Sequence, residues 1–333
     1  MSHAGLNPGT PLAAEAAATF DFEAAVQAPF RMQPGLRRLA VGARQLHPNH
    51  PGSRHLLEKL QALSAPQPSA LQCQPGFDPA PGLHALAAQA ATEHPNAFQW
   101  DGHAAFAPWL GWGVRDGELL PLGAPGTPLP EVGRCLTALP PGWRLAALLS
   151  LAFAEDFAMI DARSAQIPWL AVALPSHWAP EQKVGLHFAQ VHAPVADSAI
   201  LLAAADGLAR LVGGPSRWER FVWTITPRPT LNAHPALQPA FAWRDADADG
   251  IAAQACWRTE RQTFFPVPAA GLAVFTILVD CQPLAQAITQ PAQAARLHDA
   301  LASMSPAVLQ YRQLQRVREP LMAWLAARAR STP

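Results

Sequence analysis

Residues 256–280 read CWRTERQTFFPVPAAGLAVFTILVD, and they contain two strand candidates of opposite character. The second, Gly271 to Asp280, is apolar at consecutive positions, as expected of a central strand covered on both faces. The first is polar in an unusual way. Side chains alternate across a strand, so Arg258, Glu260, Gln262 and Phe264 share one face, and Trp257, Thr259, Arg261 and Thr263 the other. Three ionisable residues in four positions, flanked by aromatics, admit two readings. A partly exposed strand would use them in cross-strand ion pairs worth about 0.2–1 kcal/mol each. An apolar pocket would instead hold the Glu260 carboxylate among guanidinium groups, ready to bind a cation or move a proton. The pattern by itself favours the ion pairs.

A third strand candidate, RWERFVWTIT at 217–226, precedes these two. Together they predict an α+β fold, its antiparallel sheet assembled mainly late in the chain with helices packed around it. Between them, DADADGIAAQAC (245–256) begins as a calcium loop does, but its twelfth position is Cys256 where a bidentate carboxylate is required. A polar hairpin loop is the expectation there. Upstream, helices are expected at Ser53–Leu63, with Ser53 as N-cap, and at about 81–93. Asp116-Gly117 marks a hairpin turn, and the Pro/Gly-rich stretch 123–142 a loop. The apolar runs at 144–161 and 167–175 fit either a strand pair or a helix with a strand.

Pro180 opens a helix that carries His187 and His192, and a second helix spans about 195–211. Helices after Pro291, at Ser305-Pro306 and from Pro320 close the chain. The organisation read from this pattern is a loosely held arm (1–28), a body with its leading helices (29–288) and a C-terminal helical segment packed on it (289–333).

Composition removes several function classes. Formal net charge is zero, with no basic stripe for nucleic acid. The longest apolar runs fall short of the roughly 20 residues that cross a bilayer, so no membrane association is expected. The first 25 residues lack a basic stretch followed by an apolar one, so a cytoplasmic location is expected. Four scattered cysteines give no C-x-x-C pair, and hence no zinc or iron–sulfur site built by this chain alone. The single tyrosine, Tyr311, rules out any mechanism that needs one in mid-chain. His187 and His192, five apart on one helix, would diverge by about 140°. They cannot readily chelate one ion. A metal here would take one histidine, which suits an axial haem ligand better than zinc; otherwise a histidine near a helix end is satisfied by a carbonyl or by the helix terminus.

Several strings carry a resemblance. AEDFAMID (154–161), LPSHWAPEQKVG (174–185), VHAPV (191–195), RFVW (220–223), RTERQTFF (258–265) and LAVFTI (272–277), with PGLRRL (34–39) before them, resemble the haem-dependent oxidative N-demethylase α-subunit family over about residues 30–315. E-R-Q-T and K-x-G…H-x-P-V are the most specific of these. The resemblance implies a PAS-like domain that binds haem b through one axial histidine. It also implies oxidation of dimethylamine to methylamine and formaldehyde with dioxygen, using electrons from partner reductase subunits that carry FMN and 2Fe-2S. By position, His192 is the axial ligand of the haem iron, with His187 as second choice. Glu260 would lie near the oxygen-binding face, as counter-charge to a small ammonium ion and as proton acceptor. Lys183, Arg220, Arg258, Arg261 and Trp223 would surround the cofactor, whose propionates need cations.

The chain departs from the family pattern at three places. Val222 stands for an asparagine, Phe265-Pro266 for a basic pair, and Ala196 for a proline. Two other readings stand beside the enzyme: a non-catalytic haem-binding gas or redox sensor, and a haem-free structural relative. Glu260 favours the enzyme over the sensor, whereas the missing asparagine and basic pair favour the haem-free relative.

Overall fold

The computed structural model describes residues 20–65, 69–123, 128–237 and 243–330. Its strands are β1 (Arg37–Arg38), β2 (Leu71–Cys73), β3 (Gln99–Trp100), β4 (Ala104–Ala107), β5 (Trp112–Arg115), β6 (Glu118–Pro121), β7 (Asp156–Asp161), β8 (Trp169–Ala171), β9 (Trp218–Thr226), β10 (Cys256–Val267) and β11 (Leu272–Pro283). They form a seven-stranded sheet ordered β1-β9-β10-β11-β7-β8-β2 and a four-stranded sheet ordered β3-β4-β5-β6. Every strand pair is antiparallel. The fold is therefore the α+β arrangement expected, its large sheet centred on the late strands and followed by C-terminal helices.

The opening stretch forms the sheet's centre. β10 and β11 pair over their whole length, from Cys256 opposite Pro283 to Val267 opposite Leu272, and Gly271 closes the connection at φ +67°. β9 pairs with the other side of β10, which sets Arg220 opposite Gln262, Val222 opposite Glu260 and Thr224 opposite Arg258. Directly opposed residues share a face. One side of the sheet thus carries Arg220, Val222, Glu260, Gln262 and Phe264. On its outer side β9 pairs with β1 only at Trp218 and Glu219.

Two apolar cores cover other parts of the sheet. Helices Arg54–Leu63, Ala80–Glu93 and Arg144–Ala152 pack with Phe157, Met159, Phe265 and Val274. The C-terminal helices Pro291–Ala302, Pro306–Tyr311 and Arg318–Arg330 bring Leu297, Leu301, Leu321 and Leu325, all fully buried, against Trp223, Ile225 and Trp257. Each such leucine contributes about 1.5–3 kcal/mol of transfer free energy.

Several local expectations are corrected. The run at 144–161 resolves into helix Arg144–Ala152 followed by β7. The stretch 123–142, expected as loop, contains helix Pro130–Ala138, with its proline in the first turn where no N–H partner is needed. The expected hairpin loop at 245–256 contains helix Ala248–Gln254, because the Asp247 side chain accepts the Gly250 N–H and caps it.

Pro180 opens only a 3-10 turn, Pro180–Gln182. Gly185 then turns the chain at φ +76°, and a five-residue helix, Phe188–His192, follows with His187 as its N-cap. The helix expected at 195–211 is two, Ala199–Ala203 and Ala205–Val212. Most of the expected N-terminal arm, residues 1–19, lies outside the described residues. The described remainder is tied down rather than loose: Asp21 caps helix Phe22–Ala25, Val26 is fully buried, and Phe20 sets its ring edge-on to Phe221 and Trp257.

Candidate functional site

The polar face of β9 and β10 opens into a cavity of about 540 Å³, roofed by the short helices between residues 188 and 212. That volume falls within the roughly 300–1,000 Å³ of small-molecule and cofactor sites. Ile160, Leu170, Val191, Leu208, Phe264 and Phe275 give it apolar walls. Arg258, Glu260, Gln262 and Phe264 all line it, as strand alternation places them. The odd strand therefore faces a pocket.

His192 stands at the end of its short helix with its ring in this cavity. Its Nδ1 lies 2.8 Å from the Phe188 carbonyl oxygen, which can only accept, so Nδ1 carries the proton. Nε2 is left with a lone pair and no protein partner among the described residues. Burial pushes the imidazole pKa down to about 4; the Phe188 carbonyl opposes this, and the Arg220 and Lys183 charges add to it. The ring is neutral near pH 7, and the Phe188 ring, 4.1 Å away between centroids, holds its orientation. His187 is different in kind. Its Nδ1 accepts the Ala189 N–H at 3.1 Å and its Nε2 lies 2.9 Å from Asp206 Oδ1, so both nitrogens are committed.

Glu260 Oε2 accepts from Gln262 Nε2 at 2.6 Å, and Val222 stands opposite on β9. Arg220 Nε is buried without a hydrogen-bond partner; burial lowers its pKa and Glu260 raises it. Lys183 Nζ donates to the Val191 carbonyl at 3.2 Å, and burial lowers its pKa.

Three of the residues expected around a cofactor sit otherwise. The Arg258 guanidinium is 1% exposed and committed to five oxygens of two loops: Ser176 Oγ and the carbonyls of Leu174, Pro175, Thr230 and Leu231. Arg261 points to the other side of the sheet, as its parity requires, and pairs with Glu219 at 3.1 Å. Trp223 borders the cavity, but its indole stacks on Trp257 and donates to the Ala25 carbonyl.

The departures from the family pattern differ in weight. Val222 removes a polar group from the wall beside Glu260. Phe265 is 3% exposed and packs in the core under the first helices, so a basic residue absent there takes nothing from the cavity. Ala196 packs against the C-terminal core.

Sequence reasoning missed three titratable lining residues. His177 is held at φ +65°, and burial, with Arg258 and Arg228, pushes its pKa down to about 4. Tyr311 and Arg312 arrive from the C-terminal helices, more than 80 positions from the other polar groups of β9 and over 50 from Glu260 by numbering alone. No local pattern could announce them; the only signal was that Tyr311 is the chain's sole tyrosine. The donor set suits haem: the neutral His192 imidazole with a free Nε2 on a ring oriented by a carbonyl, an orphaned guanidinium Nε for a carboxylate, and apolar walls for a porphyrin.

The model of the haem-dependent oxidative N-demethylase, alpha subunit-like family matches residues 55–322, and the chain belongs to that family.

Proposed function

We propose that this chain is the haem-binding oxygenase component of an oxidative N-demethylase. It would oxidise a small secondary amine of the dimethylamine type, with dioxygen and with electrons from partner reductase subunits carrying FMN and 2Fe-2S. The observation that carries this reading is the His192 ring, neutral, oriented by the Phe188 carbonyl, and presenting an unpartnered Nε2 to an apolar cavity. Metal-bound histidines characteristically donate their second N–H to such a carbonyl. Haem b bound there supplies the redox iron at which dioxygen is used to oxidise an N-methyl group.

The chain's own side chains then have separable tasks. His192 Nε2 would hold the haem iron. Arg220, with its partnerless Nε, would neutralise a propionate, and the Arg220 and Lys183 charges both act on His192. Glu260 holds the amine as its ammonium ion, since a lone cation in an apolar cavity would be costly. Gln262 orients that carboxylate through Oε2, leaving Oε1 for the substrate N–H. When the amine must lose its proton, Glu260 is the one carboxylate lining the cavity among the described residues that can accept it. A haem-based gas sensor would use His192 in the same way but gives Glu260 no task.

The test is the absorption spectrum of protein loaded with haemin. Wild type and His187→Ala should show a Soret band shifted from that of free haemin, and His192→Ala should lose that shift. Retention in His192→Ala with loss in His187→Ala would reverse the assignment.

A further inference from the structure

The cavity's charges do not balance. Lys183, Arg220, Arg258 and Arg312 line it against one carboxylate, Glu260, among the described residues. Buried charge without compensation is costly, so such a cavity suits a ligand that brings negative charge of its own. Arg258 has committed its donors to backbone and Ser176 oxygens, and Lys183 reaches Val191. Two guanidinium groups retain unused donors. Arg220 Nε has no partner. Arg312 makes one hydrogen bond, Nη1 to the Trp223 carbonyl at 2.7 Å, and no carboxylate pairs with it among the described residues. The Arg312 guanidinium is also fixed in place. Its central carbon lies 4.7 Å from the Phe30 ring centroid and 4.9 Å from that of Trp223, so the planar group is gripped by two aromatic rings. Arg220 belongs to β9, and Arg312 is hydrogen-bonded to the Trp223 carbonyl three residues further along that strand, a backbone separation of roughly 10 Å at about 3.3 Å per residue.

We propose that Arg312 is a cofactor-anchoring residue, forming with Arg220 a two-point carboxylate clamp in which each guanidinium takes one haem propionate. The proposal rests on the haem reading above and extends it: the C-terminal helices supply part of the cofactor site as well as packing. Guanidinium–carboxylate pairs of this kind are short, charge-assisted and geometrically selective. An aromatic grip that leaves most of the donors unused is what such a pair requires.

The test titrates haemin into the apo-protein, wild type beside Arg312→Gln and Arg312→Lys, following absorbance. The series is repeated with haemin dimethyl ester, whose capped propionates cannot pair with a guanidinium. Arg312→Gln should weaken haemin binding by roughly ten- to a hundredfold, the loss expected for one charged hydrogen-bonding partner, and should leave ester binding unchanged. Arg312→Lys should lose less. An equal loss with haemin and with the ester would make Arg312 a packing residue and overturn the clamp. Undiminished haemin binding in Arg312→Gln, while wild type binds, overturns the clamp and leaves the haem reading standing. Failure of wild type to bind haemin removes the haem reading itself. Should Arg312→Gln not fold, the ester comparison is made on Arg312→Lys with the same criteria.

Discussion

Replacing Arg258 by methionine should loosen one end of the cavity. The guanidinium donates to the Leu231 carbonyl at 2.6 Å, Ser176 Oγ at 2.9 Å and the Thr230 carbonyl at 3.0 Å, and less closely to Pro175 at 3.2 Å and Leu174 at 3.4 Å. Methionine keeps much of the volume and donates nothing. Oxygens from two loops, 174–176 and 230–231, lose their donor together. Hydrogen bonds to a charged group contribute about 1.5–3 kcal/mol each, so the three shortest set a ceiling near 9 kcal/mol. The cost of burying the guanidinium, visible in its lowered pKa, offsets part of this. The net loss should be about 3–5 kcal/mol, the range for removing one member of a buried charged network. With a urea m-value of about 3 kcal/mol/M, the unfolding midpoint should fall by roughly 1–1.7 M. Tryptophan fluorescence in a urea series reads this directly. A fall of less than about 1 kcal/mol would refute the reasoning, because the loops would then hold themselves.

Other outcomes follow from the same geometry. Glu260→Gln should keep haemin affinity and weaken amine-induced spectral shifts roughly ten- to a hundredfold, by removing the counter-charge; unaltered amine titrations would exclude Glu260 as the amine partner. His187→Ala should cost about 0.5–2 kcal/mol as a lost helix cap without releasing haemin, which thermal unfolding and the Soret band together can check. In the apo-protein, ¹⁵N NMR should find His192 neutral with the proton on Nδ1 until the pH falls to about 4; a protonated ring at pH 6 would contradict the assigned tautomer. Far from the cavity, His47 Nδ1 lies 2.6 Å from Glu155 Oε1, and although burial lowers the His47 pKa, the carboxylate raises it above its ordinary value. A raised folded-state pKa adds stability that is complete below the unfolded value of about 6.5 and is lost as pH climbs through the folded one. His47→Gln should therefore flatten the decline of melting temperature above pH 6.5, and parallel profiles would count against the pair.

What was legible in the sequence was what one strand or one helix end can encode. Alternation sorted residues 257–264 correctly by face, and it already set Arg261 apart from Glu260, which is why that arginine meets Glu219 and never the cavity. The choice between surface ion pairs and a pocket was not legible, because it depends on what covers the strand. The cover comes from helices at 188–212, whose short lengths blur their period. Helix Pro130–Ala138 was hidden because its proline and glycine read as loop, although proline fits a first turn. Two histidines expected on one helix take different roles because the helix starts only at Phe188, so that His187 caps it and His192 ends it. Arg312 was beyond reach, since only tertiary packing brings it to Trp223.

The cavity's walls come from both ends of the chain: Met32 and Pro34 on one side, Tyr311 and Arg312 on the other. During synthesis, then, the central strands can emerge and pair while the cavity still lacks a wall. A cofactor arriving at that stage would meet His192 and Arg220 in an open trough, with no Arg312 to retain it. On the proposed reading, retention of the cofactor would therefore await the packing of Tyr311 and Arg312 against the sheet.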